Sequence, residues 1–305
     1  VMFNNGKRII VNDENDGNHK GAFQADGVTF MSKDSASYTH EGLYFRNHTV
    51  DSLTYVRNCT FKHAYNAVIA ESSDPEITDN LFAYNYTAIV ADGGATPLIT
   101  GNTFRGNTSH SIYTYSHRIK GNIHDNTYED NTQQYIHVEA STLNEDMTYV
   151  WSRDNVPYFV NNNFSVEAPD DDDPNVLPIL QIESGTTVMF NEGRRISING
   201  SAGNDNYRGA FQADGVTFMS KDSSSYNHNG LLFRDFTVDS LTYVRNCTFK
   251  HAGTAVETEY SSPTLTGNIF TNNSTSVYLG SISTPSIHNN IFKNNERGIK
   301  ITSGQ

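Results

Sequence analysis

Apolar and polar residues recur along the chain with a period close to 22 residues. Phe61, Phe82 and Phe104 are separated by 21 and 22 residues, and Pro75 and Pro97 are 22 apart. The shared pattern is P-x-I-x-x-N-x-F-x-x-N, in which short apolar segments end at small or polar turn residues. No segment of helix length shows an amphipathic helical period. Such a repeat predicts a parallel β-helix, in which each coil holds two or three short strands.

The pattern also predicts which side chains fill the interior of the coils. The phenylalanine and the isoleucine of the template should each stack on their equivalents in the next coil, about 4.8 Å away. The residues concerned are Phe82, Phe104, Phe270, Phe292, Ile77, Ile99, Leu265 and Ile287. The first template asparagine should lie at a bend, adopt left-handed backbone and form an amide ladder along the axis. This ladder is predicted for Asn80, Asn102, Asn126, Asn268 and Asn290.

A longer repeat duplicates the whole pattern. Residues 21–68 and 209–256 agree at 40 of 48 positions, with an offset of 188 residues. We therefore expect two tandem modules, 1–144 and 145–305, which form either two domains or one continuous solenoid. Module 1 is expected to lack its N-terminal part and module 2 its C-terminal part. The chain is thus expected to be an interior piece of a longer array.

The coils resemble the right-handed parallel β-helix repeat of pectate lyases, phage tailspikes and many secreted surface proteins. The segment 158–199, with its Gly-Thr turn and Val-Met-Phe strand, resembles the first coils of a module common in tandem-module bacterial and archaeal surface proteins. The resemblance covers essentially the whole chain and implies an all-β, right-handed parallel β-helix. It does not imply one function, because this scaffold carries enzymes, adhesins and structural proteins alike.

Composition and charge exclude several classes of protein. The chain has 21 basic and 34 acidic residues and a net charge of −13, so no nucleic-acid partner is expected. No run of apolar residues is long enough to insert into a membrane. The two cysteines, Cys59 and Cys247, lie many coils apart in identical RNCTF contexts. We expect both to be buried as small apolar side chains, with a reactive thiol as the alternative, and not to form a disulfide.

Motifs for catalysis are weak. Residues 118–120 and 125–127 echo two polygalacturonase motifs, but the Gly-His-Gly motif of that family is absent, and no acidic cluster suits the Ca²⁺ site of a pectate lyase. No catalytic residue is therefore assigned. The acidic run could bind Ca²⁺ or form a solvated loop, and no other cofactor is expected. This run consists of Asp170, Asp171, Asp172 and Asp173.

Each copy of the repeat carries a small basic spot that is predicted to face outward. It either balances neighbouring acidic side chains or binds an anionic glycan. The residues are Arg57, Lys62 and His63 in the first copy and Arg245, Lys250 and His251 in the second. The histidines are not at metal-ligand spacing, and we expect them at surface or turn positions.

These features favour a non-catalytic extracellular protein of the cell surface with a structural or adhesive role, as a stalk, fibre or filament subunit. Its expected partners are other copies of itself, end to end, or surface glycans. The alternative is a β-helix protein that binds or degrades polysaccharides. That alternative is favoured by four tyrosines in the expected outer groove, Tyr113, Tyr115, Tyr128 and Tyr135.

Overall fold

A computed structural model describes residues 1–12, 20–33, 38–169, 175–199, 207–223 and 226–302. It confirms the predicted all-β class and the right-handed parallel β-helix. The helical elements among these residues are short 3₁₀ turns at Asp51–Leu53, Ser116–Arg118 and Asp239–Leu241. In this part of the chain, no helix has the length and apolar character needed to cross a membrane.

The described residues form two compact units. Unit 1 comprises Val1–His137 with Asp154–Pro157, and unit 2 comprises Val138–Arg153 with Tyr158–Gln305. The strands of each unit fall into three parallel sheet segments, and the strands of each segment pair with the strands one coil before and one coil after them. We name the sheets A, B and C, followed by the number of the unit. Sheet A carries the template phenylalanines, sheet B follows it in the chain, and sheet C precedes it.

The strands of unit 1 are numbered in chain order. Sheet A1 contains β1 (Met2–Phe3), β4 (Thr29–Ser32), β7 (Thr60–Lys62), β10 (Leu81–Ala83), β13 (Thr103–Arg105) and β16 (Thr127–Glu129). Sheet B1 contains β2 (Ile9–Val11), β5 (Leu43–Phe45), β8 (Asn66–Glu71), β11 (Thr87–Asp92), β14 (Ile112–Tyr115) and β17 (Ile136–Glu139). Sheet C1 contains β3 (Gln24–Asp26), β6 (Tyr55–Arg57), β9 (Glu76–Thr78), β12 (Leu98–Thr100) and β15 (Ile123–His124).

Unit 2 repeats this arrangement. Sheet A2 contains β19 (Tyr158–Val160), β22 (Thr187–Phe190), β25 (Thr217–Ser220), β28 (Thr248–Lys250), β31 (Ile269–Thr271) and β34 (Ile291–Lys293). Sheet B2 contains β20 (Phe164–Val166), β23 (Arg195–Ile198), β26 (Gly230–Phe233), β29 (Thr254–Thr258), β32 (Thr275–Leu279) and β35 (Arg297–Ile301). Sheet C2 contains β18 (Thr148–Trp151), β21 (Ile179–Ile182), β24 (Ala210–Asp214), β27 (Tyr243–Arg245), β30 (Thr264–Thr266) and β33 (Ser286–His288).

The interior has the register that the template predicts. Phe82 pairs with Phe61 and Phe104 on the neighbouring strands, and the ring centroids are 4.9 and 5.3 Å apart. In unit 2, Phe270 stacks in the same way on Phe249 and Phe292, at 5.0 and 5.2 Å. Inward residues of sheets A and C thus build continuous apolar columns in each unit, because a strand shows the same face in every coil.

The prediction that Phe292 and Ile287 are buried is wrong for this structure. Phe292 is 37% exposed, whereas Phe270 is 0% exposed, and Ile287 is half-buried. Both residues lie in the last coil that the structure describes. No described coil covers that face, so these side chains keep the predicted register but contact a neighbour on one side only.

Candidate functional site

The predicted asparagine ladder runs along the turn between sheets C and A. The backbone N–H and side-chain Nδ2 of Asn80 both donate to Oδ1 of Asn102, at 3.0 Å each, and Asn102 bonds Asn126 in the same way at 3.1 and 3.2 Å. In unit 2 the backbone N–H of Asn268 donates to Oδ1 of Asn290 at 2.8 Å. Asn290 is only half-buried, because it lies in the last described coil.

The expectation that the ladder asparagines themselves adopt left-handed backbone is wrong. The positive φ angles occur one residue earlier, at Asp79 (56°), Gly101 (69°) and Asp125 (57°) in unit 1. In unit 2 they occur at Gly267 (69°) and Asn289 (57°). The preceding residue therefore makes the bend, and this leaves the asparagine free to point inward and bond the next coil.

A second ladder lies in the turn between sheets A and B, and the sequence analysis missed it. Asn85 donates to Oδ1 of Asn107 from its backbone N–H (3.0 Å) and its Nδ2 (3.1 Å), and Asn107 bonds Asn131 at 2.9 Å. Asn273 and Asn295 form the equivalent pair in unit 2. These residues are the second asparagine of the template, so the signal was present in the same repeat.

The cysteines are buried, and they occupy the first ladder position of their coils. The backbone N–H of Cys59 donates to Oδ1 of Asn80, and that of Cys247 to Oδ1 of Asn268, both at 2.9 Å. Burial raises the pKa of the Cys247 thiol to about 12 and also raises the pKa of Cys59. A thiol with such a pKa is protonated at neutral pH and is a poor nucleophile and metal ligand.

The basic spots are divided between two sheets. Arg57 ends a strand of sheet C1, where its Nη2 lies 2.5 Å from Oε2 of Glu76 and its guanidinium lies 4.4 Å from the ring centroid of Tyr55. Lys62 ends a strand of sheet A1, and His63 follows it with a φ of 60°. In unit 2, Arg245 lies over the Tyr243 ring at 4.2 Å, while Lys250 and His251 keep the positions of Lys62 and His63. Glu76 thus balances the charge of Arg57, and binding of an anionic glycan stays a prediction.

The expectation that all histidines lie at the surface or in turns is wrong for His40 and His228, both of which are fully buried, and for His137, which is buried on β17. Nε2 of His228 donates to the Lys250 carbonyl at 3.1 Å, and Nδ1 accepts the Gly230 N–H at 3.0 Å. His40 has the equivalent bonds to Lys62 and Gly42. A carbonyl can only accept a hydrogen bond, so Nε2 of each histidine carries a proton. Nδ1 accepts a backbone N–H and therefore carries none, so both imidazole rings are neutral. Burial lowers the pKa of His228 to about 4.

Two of the four tyrosines expected in an outer groove do not lie there. Tyr135 is buried, and Tyr128 ends the phenylalanine stack of unit 1, with its hydroxyl donating to Oδ2 of Asp154 at 2.8 Å. Tyr113 and Tyr115 lie half-buried on β14 of sheet B1. The acidic run Asp170–Asp173, the candidate for Ca²⁺, lies outside the described residues.

Tyr113 belongs to an aromatic cleft on unit 1. The cleft has a volume of about 300 Å³ and lies where the chain turns from sheet A1 into sheet B1. The rings of Tyr65 and Tyr86 stack across it at 4.8 Å, with 6° between their planes. They are 47% and 37% exposed, unlike the buried rings of sheet A1. The described residues that line the cleft are Tyr65, Asn66, Tyr86, Thr87, Val90, Ser109, His110 and Tyr113.

Sequence reasoning missed this cleft except for Tyr113. Apart from Val90 and Tyr113, which lie within β11 and β14, its residues precede or begin the strands of sheet B1, where the template specifies only a small-residue turn. Tyr65 comes directly before β8 and Tyr86 directly before β11, so the two rings are one coil apart. A search for aromatic residues at the coil period within the turns would have found this pair.

Comparison with known proteins identifies two family models that match the chain. Residues 9–165, just over half of the chain, match a model described as right handed beta helix region. Residues 171–305 match a model described as periplasmic copper-binding protein (NosD). No curated protein and no solved structure matches the chain.

Proposed function

The chain belongs to the right-handed β-helix family, and from that premise we propose that it is a non-catalytic scaffold outside the cytoplasm with a structural or adhesive role. The description of the second matching model names a periplasmic protein. This supports an extracellular or periplasmic location, and the net charge of −13 suits a surface that avoids nonspecific contacts. Association of copies end to end and the module boundary at residues 144 and 145 stay predictions.

The observation that carries the proposal is the pair of asparagine ladders in both units. In each ladder a buried amide accepts a backbone N–H from the preceding coil and donates to a carbonyl of that same coil, as Asn102 does with Asn80 and Ile77. Buried polar networks of this kind fix one arrangement of the chain. The same ladders and phenylalanine stacks recur in both copies, which is expected of a scaffold that is extended by repetition.

Pairing of carboxylates with arginines supports a non-catalytic role. Arg105 lies 2.5 Å from Glu129, Arg234 lies 3.3 Å from Glu259, and Arg57 pairs with Glu76 as described above. Glycoside hydrolysis instead uses two carboxyl groups that face each other across the scissile bond. Each of these carboxylates has an arginine from a neighbouring coil as its partner.

Copper binding, named in the description of the second model, does not fit the described residues. Both ring nitrogens of His228 are already hydrogen-bonded, and the thiol of Cys247 is buried with a pKa raised to about 12. Across the described part of the chain, no group of three or more histidine, cysteine, aspartate or glutamate side chains could hold a metal ion. We therefore propose no role for copper.

Two measurements test the proposal. Incubation of the protein with soluble polysaccharides should release neither new reducing ends nor unsaturated uronides, because no catalytic pair is assigned. Protease is added to intact cells that produce the protein, and to the same cells after their outer membrane has been permeabilised. In at least one of these preparations the protein should be digested while a cytoplasmic marker protein is not. Time-dependent release of sugar would overturn the non-catalytic role, and protection together with the cytoplasmic marker would overturn the location.

Polysaccharide binding is the second candidate function, and the aromatic cleft of unit 1 favours it. Polysaccharide degradation has no such support in the described residues.

A further inference from the structure

We propose that the aromatic cleft of unit 1 binds a neutral oligosaccharide, with Tyr65, Tyr86 and Tyr113 as its main contacts. The proposal rests on the adhesive role proposed above and names the ligand class and the site. A cleft of about 300 Å³ is at the lower end of the usual size range of small-molecule sites, which suits one or two sugar rings of a longer chain.

The second copy of the repeat shows that the coil does not need these aromatic residues. With the offset of 188 residues, Tyr65 corresponds to Gly253, Tyr86 to Ser274, and Tyr113 to Ile301. The neighbouring phenylalanine stack and both ladders are nevertheless present in the two copies. The coil therefore forms without these exposed rings, and a cluster of exposed aromatic side chains is typical of a binding surface.

The cleft is held in place by the backbone of successive coils. The N–H of Tyr65 donates to the His40 carbonyl at 2.7 Å, and the carbonyl of Tyr65 accepts the Thr87 N–H at 2.8 Å. The Ser109 N–H donates to the Tyr86 carbonyl at 2.7 Å. Because these bonds fix the Cα positions and the rings already stack, ligand binding orders few additional torsions. Tyrosine offers a large contact area at low entropic cost.

The chemistry of the lining matches a sugar. Each pyranose ring has apolar C–H faces and a rim of hydroxyl groups that donate and accept hydrogen bonds. In the cleft, the tyrosine rings and Val90 provide apolar surface for the C–H faces of the sugar. The side chains of Asn66, Thr87 and Ser109 provide hydrogen-bond donors and acceptors for its hydroxyl groups. Tyrosine itself joins an apolar ring to a polar hydroxyl.

The charge of the cleft selects a neutral ligand. None of its eight described lining residues is Asp, Glu, Lys or Arg, and the whole chain carries a net charge of −13. An anionic glycan would lack the arginine that usually recognises a carboxylate, and it would be repelled at long range.

Titration calorimetry of the full chain tests the proposal. The neutral probes are cellohexaose and β-1,4-mannohexaose, and the anionic probe is hexagalacturonate. We expect at least one neutral probe to bind and hexagalacturonate not to bind. The variant Tyr65→Gly/Tyr86→Ser, which introduces the residues of the second copy, should raise the Kd roughly tenfold or more, as expected for aromatic contact residues. Tyr226→Ser is the matched control, because Tyr226 is an exposed tyrosine of unit 2 outside the cleft.

Several results would overturn the proposal: no binding of either neutral probe, tighter binding of hexagalacturonate, or an unchanged Kd in the double variant. Self-association of the parent that the double variant abolishes would also overturn it, since the cleft would then hold a second copy. Failure here differs from failure of the proposed function. If protease digests the protein on intact cells but no neutral probe binds, the proposed scaffold role is kept and only the proposed oligosaccharide site is rejected.

Discussion

The two copies of the repeat have the same interior and differ on their outer faces. They differ at eight of 48 aligned positions, and in the first copy every described residue at those positions is exposed or half-buried. The inward-facing residues of sheets A and C are unchanged because each must fit between equivalents in two neighbouring coils. Outward residues contact solvent on one side, so they are free to acquire separate roles.

The residues on the outer face of sheet B differ between the two units. In unit 1 the guanidinium groups of Arg8 and Arg46 lie 4.8 and 4.9 Å from the ring centroid of Tyr44, and the Tyr44 hydroxyl donates to Glu71. In unit 2 the equivalent residue is Leu232, which is buried. Arginines pair with carboxylates on this face in both units, as Arg46 does with Glu71 at 3.7 Å and Arg234 with Glu259 at 3.3 Å. The same backbone and ion pair thus support a half-buried aromatic ring in one unit and a buried leucine in the other.

The largest effect is expected from the shared core. Phe82 and Phe270 are both fully buried between two stacked rings, so Phe82→Ala and Phe270→Ala should each lower the free energy of unfolding by about 3–5 kcal/mol. Urea unfolding, with hydrogen exchange to locate the effect, measures this. Phe292→Ala is the control and should cost less, because Phe292 is 37% exposed. If Phe82→Ala and Phe270→Ala differed by several kcal/mol, the two copies would not have equivalent interiors.

The next effect is a loss of stability in acid. Burial lowers the pKa of His228 from its ordinary value of 6.5 to about 4 and lowers that of His40 in the same direction. Between pH 6.5 and about pH 4, His228 is protonated in the unfolded chain and neutral in the folded chain. Stability is therefore complete above about pH 6.5 and falls as the pH approaches 4, by about 3 kcal/mol for His228.

Unfolding measured from pH 7 to pH 4 checks this dependence. His228→Gln removes the titrating group, so it should flatten the slope in this window even if it lowers stability at pH 7. His40→Gln is the matched variant in the first copy. A slope that stays the same in both variants would mean that neither ring is buried in the neutral form.

The first ladder should have equal importance in the two copies. Asn80 accepts the Cys59 N–H and donates to the Val56 carbonyl, and Asn268 has the same bonds to Cys247 and Val244. Asn80→Ala and Asn268→Ala leave these buried groups without partners, so each should cost about 1–3 kcal/mol.

Chemical unfolding of the two ladder variants should be compared with Asn162→Ala. Asn162 is half-buried, and its Nδ2 donates to Oε1 of Glu139. Its loss should cost under about 1 kcal/mol, as for a partly exposed hydrogen bond. Ladder variants that are no less stable than Asn162→Ala would contradict the role of the ladder.

The parts of the structure that follow from local repetition could be predicted from the sequence, and the parts that follow from long-range contacts could not. The 22-residue spacing placed Phe82 and Phe104 in register because one coil repeats the next. Burial of His228 depends on the Lys250 carbonyl one coil later, at a position where the template specifies nothing. The aromatic cleft was missed for a related reason: Tyr65 and Tyr86 lie in turns, which the template treats as variable.

The smallest effect on stability is expected in the cleft. Tyr86→Ser places the residue of the second copy at an exposed position and removes the ring contacts with Tyr65 and Tyr38, so it should lower the free energy of unfolding by about 1 kcal/mol. The reciprocal variant Ser274→Tyr should be equally well tolerated in unit 2. Thermal unfolding of both variants measures this. If Tyr86→Ser cost as much as Phe82→Ala, the exposed tyrosines would be part of the core of the coil, and the difference between the two outer faces would then concern stability and not binding.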